Sequence, residues 1–170
     1  MVSDAVYHGE RSAENKYLPP PNPNQYPCSA RHMTIQTAME YRRAMDYLST
    51  RPEIDSDRIG MLGLSMGGII TFELTAVDSR IKSAATGLTP ALREPEFQPI
   101  SPFTFAGHAK CNSFLTFVGN QDNLYSMEDA RQLYELLPMS QKEFIEYDTG
   151  HKPPVEYVGK VTEWFLKTLK

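Results

Sequence analysis

Apolar positions along this chain follow two rhythms that predict alternating strands and helices. Residues 34–50 place Ile35, Ala38, Met39, Arg42, Met45 and Leu48 on one helical face with charge on the other. Pro52 ends that helix, and Asp55, Ser56 and Asp57 make a turn. Residues 58–63 then read as a buried strand, 66–76 as a helix, and 81–87 and 113–118 as two further apolar strands. Ser126 is a good N-cap for a helix running to about Leu137, with Glu128 and Asp129 in its first turn. A last strand spans 143–147. A closing helix spans 155–169, with Val158, Val161, Phe165 and Leu169 on one face. Residues 2–7 read as one more short strand. Residues 8–33 break the rhythm: Pro19, Pro20, Pro21, Pro23 and Pro27 stand among polar residues, and the stretch is expected to be a long surface loop.

Strands alternating with helices imply an α/β fold, a mainly parallel sheet with helices on both faces. Right-handed crossovers bring the loops after the strands to one sheet edge, where open parallel sheets carry their sites. The 170 residues are expected to form a single catalytic domain, 1–170.

Composition narrows the function. Hydrophobic residues are 41% and charged residues 22%, an ordinary globular balance. The net charge is −4 and the basic residues are scattered, so no nucleic-acid partner is expected. No apolar run approaches the ~20 residues of a membrane span, and no secretory leader is read at the N-terminus. Cys28 and Cys111 lack metal-ligand spacing and are expected to be free thiols, with no metal bound. A cytoplasmic setting is the simplest expectation.

The chemistry centres on Gly63-Leu64-Ser65-Met66-Gly67-Gly68, a G-x-S-x-G pattern between a predicted strand and a predicted helix. A sharp strand-to-helix turn exposes the serine oxygen, and glycines two positions either side are expected to relieve collisions. The helix N-terminus supplies partial positive charge, and the Met66 N–H is placed to meet a developing oxyanion. A serine hydroxyl needs a base. Of four histidines, His151 follows the last strand, while His8, His32 and His108 lie in loop-like sequence. The base needs an orienting carboxylate, and Asp122 lies just beyond the strand at 113–118. Asp148 is too near His151 in sequence to sit beneath its ring, and helix capping explains Glu128. The order Ser65, Asp122, His151 is the one expected of this strand–helix arrangement.

These residues resemble the α/β-hydrolase superfamily, closest to its dienelactone-hydrolase-like and acetyl-esterase-like members. The matching stretches are Tyr7-His8-Gly9-Glu10-Arg11-Ser12, residues 47–55, Arg58 through Gly68, Gly119-Asn120-Gln121-Asp122, and Gly150-His151-Lys152-Pro153. The resemblance implies carboxylic-ester hydrolysis without a cofactor, through an acyl-enzyme. Ser65 stands where dienelactone hydrolases carry cysteine, which points to an esterase. Family members have three strands before the one read at 2–7, so the fold is expected to be a truncated α/β-hydrolase fold. The strands before it carry the loop that gives the second oxyanion donor. In another alignment His8-Gly9 is that loop. Either way Tyr7, His8 and Gly9, with Leu64 of the elbow, are expected to line the substrate pocket.

A sheet without its first half leaves an open edge, from which a homodimer or higher homo-oligomer is expected. Residues 89–110 hold Pro90, Pro95, Pro99 and Pro102 and leave no room for a full helical cap, which suits short acyl chains. Phe97, Phe103, Phe105, Tyr125 and Tyr157 either line a pocket or fill the core. Other readings of the same residues are a non-catalytic binding protein on a decayed hydrolase fold, an acyltransferase or thioesterase, and a serine peptidase.

Overall fold

The computed structural model describes residues 4–14 and 26–170. Its sheet has four parallel strands in sequential order: β1 (Ile59–Leu64), β2 (Ile81–Gly87), β3 (Ser113–Gly119) and β4 (Gln141–Tyr147). The helices are α1 (Tyr26–Leu48), α2 (Met66–Val77), the short α3 (Pro102–Phe105), α4 (Met127–Leu136) and α5 (Tyr157–Thr168). Three 3-10 turns add Gly9–Glu14, Pro95–Ile100 and Ala106–His108.

Both faces of the sheet are covered, as the continuous apolar runs require. Every residue of β3 is buried. On one face Ile70, Phe72 and Leu74 of α2 join Ile81, Ala84 and Phe114, with Ala38 and Met45 of α1 packed behind. On the other face Val161 and Trp164 of α5 cover Ala85, Leu115 and Phe117. Burying a side chain of this size contributes about 1.5–3 kcal/mol. The strand register sets Leu64 beside Gly87 and Gly119 beside Tyr147, so β1, β3 and β4 all end at the same rim. Among the described residues no helix is long and apolar enough to cross a membrane.

Two expectations are corrected near the N-terminus. Residues 4–7 are irregular chain and turn, not strand, and residues 2 and 3 of that predicted strand lie outside the described residues. The Val6 N–H donates to Thr37 Oγ1 of α1 at 3.1 Å instead of joining a ladder. The long loop read at 8–33 is shorter, because α1 begins at Tyr26 and not at Thr34. Pro27 misled the reading: in the first turn of a helix its missing N–H removes no bond. The central part of that loop, residues 15–25, lies outside the described residues.

The outer edge of β1 has no strand partner among the described residues. Leu62 is 43% exposed there.

Candidate active site

Ser65 is built by the β1–α2 turn. Its backbone has φ 52° and ψ −115°, a conformation that costs a non-glycine residue roughly 1–3 kcal/mol. Hydrogen bonds hold it there: the Ser65 N–H donates to Gly87 O at 2.8 Å, and its carbonyl accepts from Gly68 N–H at 2.9 Å. A Cβ on Gly63 would lie 2.0 Å from the Gly67 carbonyl oxygen, so the turn closes only over a glycine. The expected symmetry about Ser65 fails, however. A Cβ on Gly67 would meet nothing within 4 Å, whereas one on Gly68 would lie 2.1 Å from Thr89 Oγ1. The tight positions are Gly63 and Gly68. Met66 is the first residue of α2, where N–H groups lack intrahelical partners.

Asp122 sits in the loop after β3. Its side chain is fully buried, and Oδ1 accepts the Leu124 N–H at 2.9 Å. His151 sits in the loop after β4, fastened to the Asp122 loop through Asn120 N–H to Tyr147 O and Gln121 N–H to Thr149 O, each 3.0 Å. The three side chains meet. His151 Nδ1 is 2.6 Å from Asp122 Oδ2, and Nε2 is 2.8 Å from Ser65 Oγ. A carboxylate only accepts, so Nδ1 carries the proton and Nε2 offers its lone pair to the serine hydroxyl. The rival acids are engaged elsewhere: Asp148 accepts from Gln121 Nε2 at 2.8 Å, and Glu128 from Gln132 Nε2 at 3.2 Å.

A cavity of about 260 Å³ opens beside Ser65 and Met66. Met33 of α1, Ile69 of α2, Phe97, Ile100 and Leu124 form much of its apolar wall. Of the expected pocket residues, none of Tyr7, His8, Gly9 or Leu64 lines it. Leu64 packs into the core beneath α5. His8 lines a separate cavity of about 230 Å³ whose wall includes Met66 and Gly67. Tyr7, at φ 67°, stacks on His32 at 6.1 Å, and Gly9 at φ 54° turns over the Asp4 carboxylate. Of the five aromatic residues weighed for the pocket, only Phe97 lines this cavity. Phe103 and Phe105 pack on the core, Tyr125 is buried in it, and Tyr157 stacks on Phe117. The walls from α1 were missed because apolar residues at helical spacing look the same whether they face a core or a cavity.

Remaining titratable groups fit this layout. Burial pushes the Cys111 thiol up to about 12, leaving it inert, and Cys28 is exposed with its sulfur accepting from Arg31. Among the described residues no three His, Cys, Asp or Glu side chains group as metal ligands.

Residues 37–91, from α1 past β2, match the family described as BAAT / Acyl-CoA thioester hydrolase C terminal. That stretch includes Ser65 but neither Asp122 nor His151. Over 39 residues the chain is 46% identical to a Bacillus subtilis (strain 168) protein named "Putative hydrolase YtaP", a match covering 23% of this chain and 13% of that protein. Among solved structures, acetyl xylan esterase 1 from Thermoanaerobacterium sp. JW/SL YS485 superposes with a TM-score of 0.70 at 17% identity, covering 81% of this chain and 54% of the other. A cold-adapted esterase from an Arctic intertidal metagenomic library gives 0.72 at 23% identity, covering 86% and 65%. The chain thus spans about half to two-thirds of the length of these structures. By these superpositions, the chain has an α/β-hydrolase fold.

Proposed function

We propose that this chain is a serine carboxylesterase that hydrolyses short-chain acyl esters through an acyl-enzyme on Ser65. One observation carries the reading: a single imidazole bridges a buried carboxylate at 2.6 Å and a strained serine hydroxyl at 2.8 Å. A turn or a helix cap needs neither contact.

Ser65 Oγ attacks the ester carbonyl carbon while His151 Nε2 takes its proton. The carbonyl electron pair moves onto oxygen, where the Met66 N–H and the positive end of α2 stabilise it. Asp122 holds the imidazole tautomer and stabilises the imidazolium. The intermediate collapses, the ester C–O bond breaks, and His151 gives the proton to the leaving alkoxide. Water then attacks the acyl-enzyme with His151 as base, releasing acid and free Ser65. A second oxyanion donor is expected from near Tyr7 or His8. His8 supports this by sharing a cavity with Met66 and Gly67.

The cavity size supports short acyl groups. A cavity of roughly 150 Å³ holds a benzene ring, so one of about 260 Å³ has room for a short acyl group. Hydrolysis of p-nitrophenyl acetate by the wild type, and its loss in Ser65→Ala, tests the reading. Labelling of Ser65 by a fluorophosphonate separates a working nucleophile from a decayed one: an unlabelled, inactive wild type defeats the proposal.

A thioester substrate is the second reading. It is favoured by the match of residues 37–91 to a family described for acyl-CoA thioester hydrolases. The same steps apply with a thiolate as leaving group. Relative kcat/KM on acetyl esters and acetyl thioesters distinguishes the two.

A further inference from the structure

Tyr125 lies outside the three-residue relay, yet its hydroxyl occupies the junction that aligns two members of it. The side chain is 9% exposed and starts from the far end of the Asp122 loop. Its Oη accepts the Gly119 N–H at 2.9 Å. Gly119 is where the two catalytic loops touch: a Cβ there would lie 2.4 Å from Thr149 O and 2.5 Å from Gly150 O, on the loop carrying His151. The next residues continue the contact through the Asn120 and Gln121 N–H bonds to Tyr147 and Thr149. The phenol therefore pins the residue against which the His151 loop is stacked.

The phenolic proton has its own place to go. The Gly119 carbonyl is 3.5 Å away, at the limit of a hydrogen bond. Burial, with the Asp122 charge adding to it, pushes the phenol up to about 12. Tyr125 is therefore a neutral hydroxyl throughout the working range, held between the N–H and the carbonyl of one residue.

We propose that Tyr125 is a positioning residue that works through Gly119. Its oxygen fixes the junction that holds the Asp122 loop against the His151 loop. This rests on the proposed hydrolase reading and adds a fourth residue to it.

The test is Tyr125→Phe, which removes one oxygen and keeps the ring. Freeing Gly119 from the phenol loosens the alignment of the two loops, so kcat should fall about tenfold with KM unchanged. In proton NMR spectra, the downfield Nδ1 resonance of the Asp122–His151 hydrogen bond should shift or broaden. A residue that only fills space moves none of these. An unchanged resonance and an unchanged kcat in a folded Tyr125→Phe protein overturn the proposal. If the wild type hydrolyses no ester, the hydrolase reading fails, and the resonance still decides whether Tyr125 acts on the pair. Should the variant not fold, the wild type suffices: a slowly exchanging Tyr125 hydroxyl proton close to the Gly119 N–H supports the proposal, and rapid exchange with solvent overturns it.

Discussion

His151 Nε2 stands 2.8 Å from Ser65 Oγ, although 86 positions of chain separate the two residues. The contact exists because β1 and β4 end at the same rim, with β2 and β3 between them. The last leg of the relay is shorter in sequence: Asp122 is 29 positions from His151, on the loop of the adjacent strand β3. Replacing Asp122 with Asn keeps the shape but leaves an amide whose NH₂ cannot accept the Nδ1 proton. The amide favours the wrong imidazole tautomer. Turnover of p-nitrophenyl acetate should fall by about 10³–10⁴ while thermal unfolding changes little. A variant that retains most of its kcat would show that Asp122 does not orient the base.

The strain at Ser65 makes a separate prediction about stability. Alanine at φ 52° bears the same backbone penalty as serine, whereas glycine does not. Both variants should be inactive and unlabelled by a fluorophosphonate. Ser65→Gly should nevertheless be the more stable of the two by about 1 kcal/mol in urea denaturation. Equal stabilities would mean that the turn is relaxed in solution.

The glycines around the elbow separate by the same reasoning. Gly63→Ala drives a methyl group into the Gly67 carbonyl and Thr71 Oγ1, and backbone cannot yield cheaply. It should cost several kcal/mol, on the order of the largest single-residue effects, and abolish labelling. Gly67→Ala enters open space in the first turn of α2 and should be neutral or stabilising by up to about 1 kcal/mol. Thermal unfolding of the two variants checks the contrast.

How much of this was legible in the sequence depends on how strongly each feature constrains residue type. The elbow was legible because a closed strand-to-helix turn demands glycine at Gly63, and the meeting of Ser65, Asp122 and His151 because each follows a strand. The parallel sheet was legible from β2 and β3, whose unbroken apolar runs need cover on both faces. The start of α1 was not, because Pro27 means opposite things in a helix interior and in a first turn. Nor were the cavity walls. Met33 and Ile69 are apolar at helical spacing, and only the position of the 90–100 segment across from them turns that face into a pocket. Tyr125 was read only as a pocket or core aromatic, since nothing in sequence spacing says where a phenol oxygen will land.

The cavity wall gives a specificity prediction. Leu124 stands at the mouth of the Ser65 cavity and is 53% exposed, so enlarging it carries little folding cost. Leu124→Phe narrows the entrance. Across p-nitrophenyl acetate, butyrate and octanoate, kcat/KM should fall most for octanoate and least for acetate. One to three kcal/mol of discrimination, about 10- to 200-fold, is the usual yield of such a pocket change. A uniform loss across the series would place the acyl chain elsewhere.

Glu73 supplies a pH prediction independent of catalysis. It lies on α2, 8% exposed, and its Oε2 has no hydrogen-bond partner among the described residues. Burial raises its carboxyl from the ordinary 4.5 to about 7. Below pH 4.5 it is protonated whether the chain is folded or unfolded, and it imposes no penalty. Between about 4.5 and 7 the unfolded chain releases the proton while the folded chain keeps it. The folded state then binds more protons, and stability falls as pH rises. Above 7 the full loss, about 3 kcal/mol, is in place. Glu73→Gln cannot ionise and escapes it. The stability difference between Glu73→Gln and wild type, measured in urea, should therefore grow by about 3 kcal/mol from pH 4.5 to pH 8. Comparing the two proteins cancels the titration of every other group. A difference that stays constant over that range would mean that water reaches the carboxylate in the folded chain.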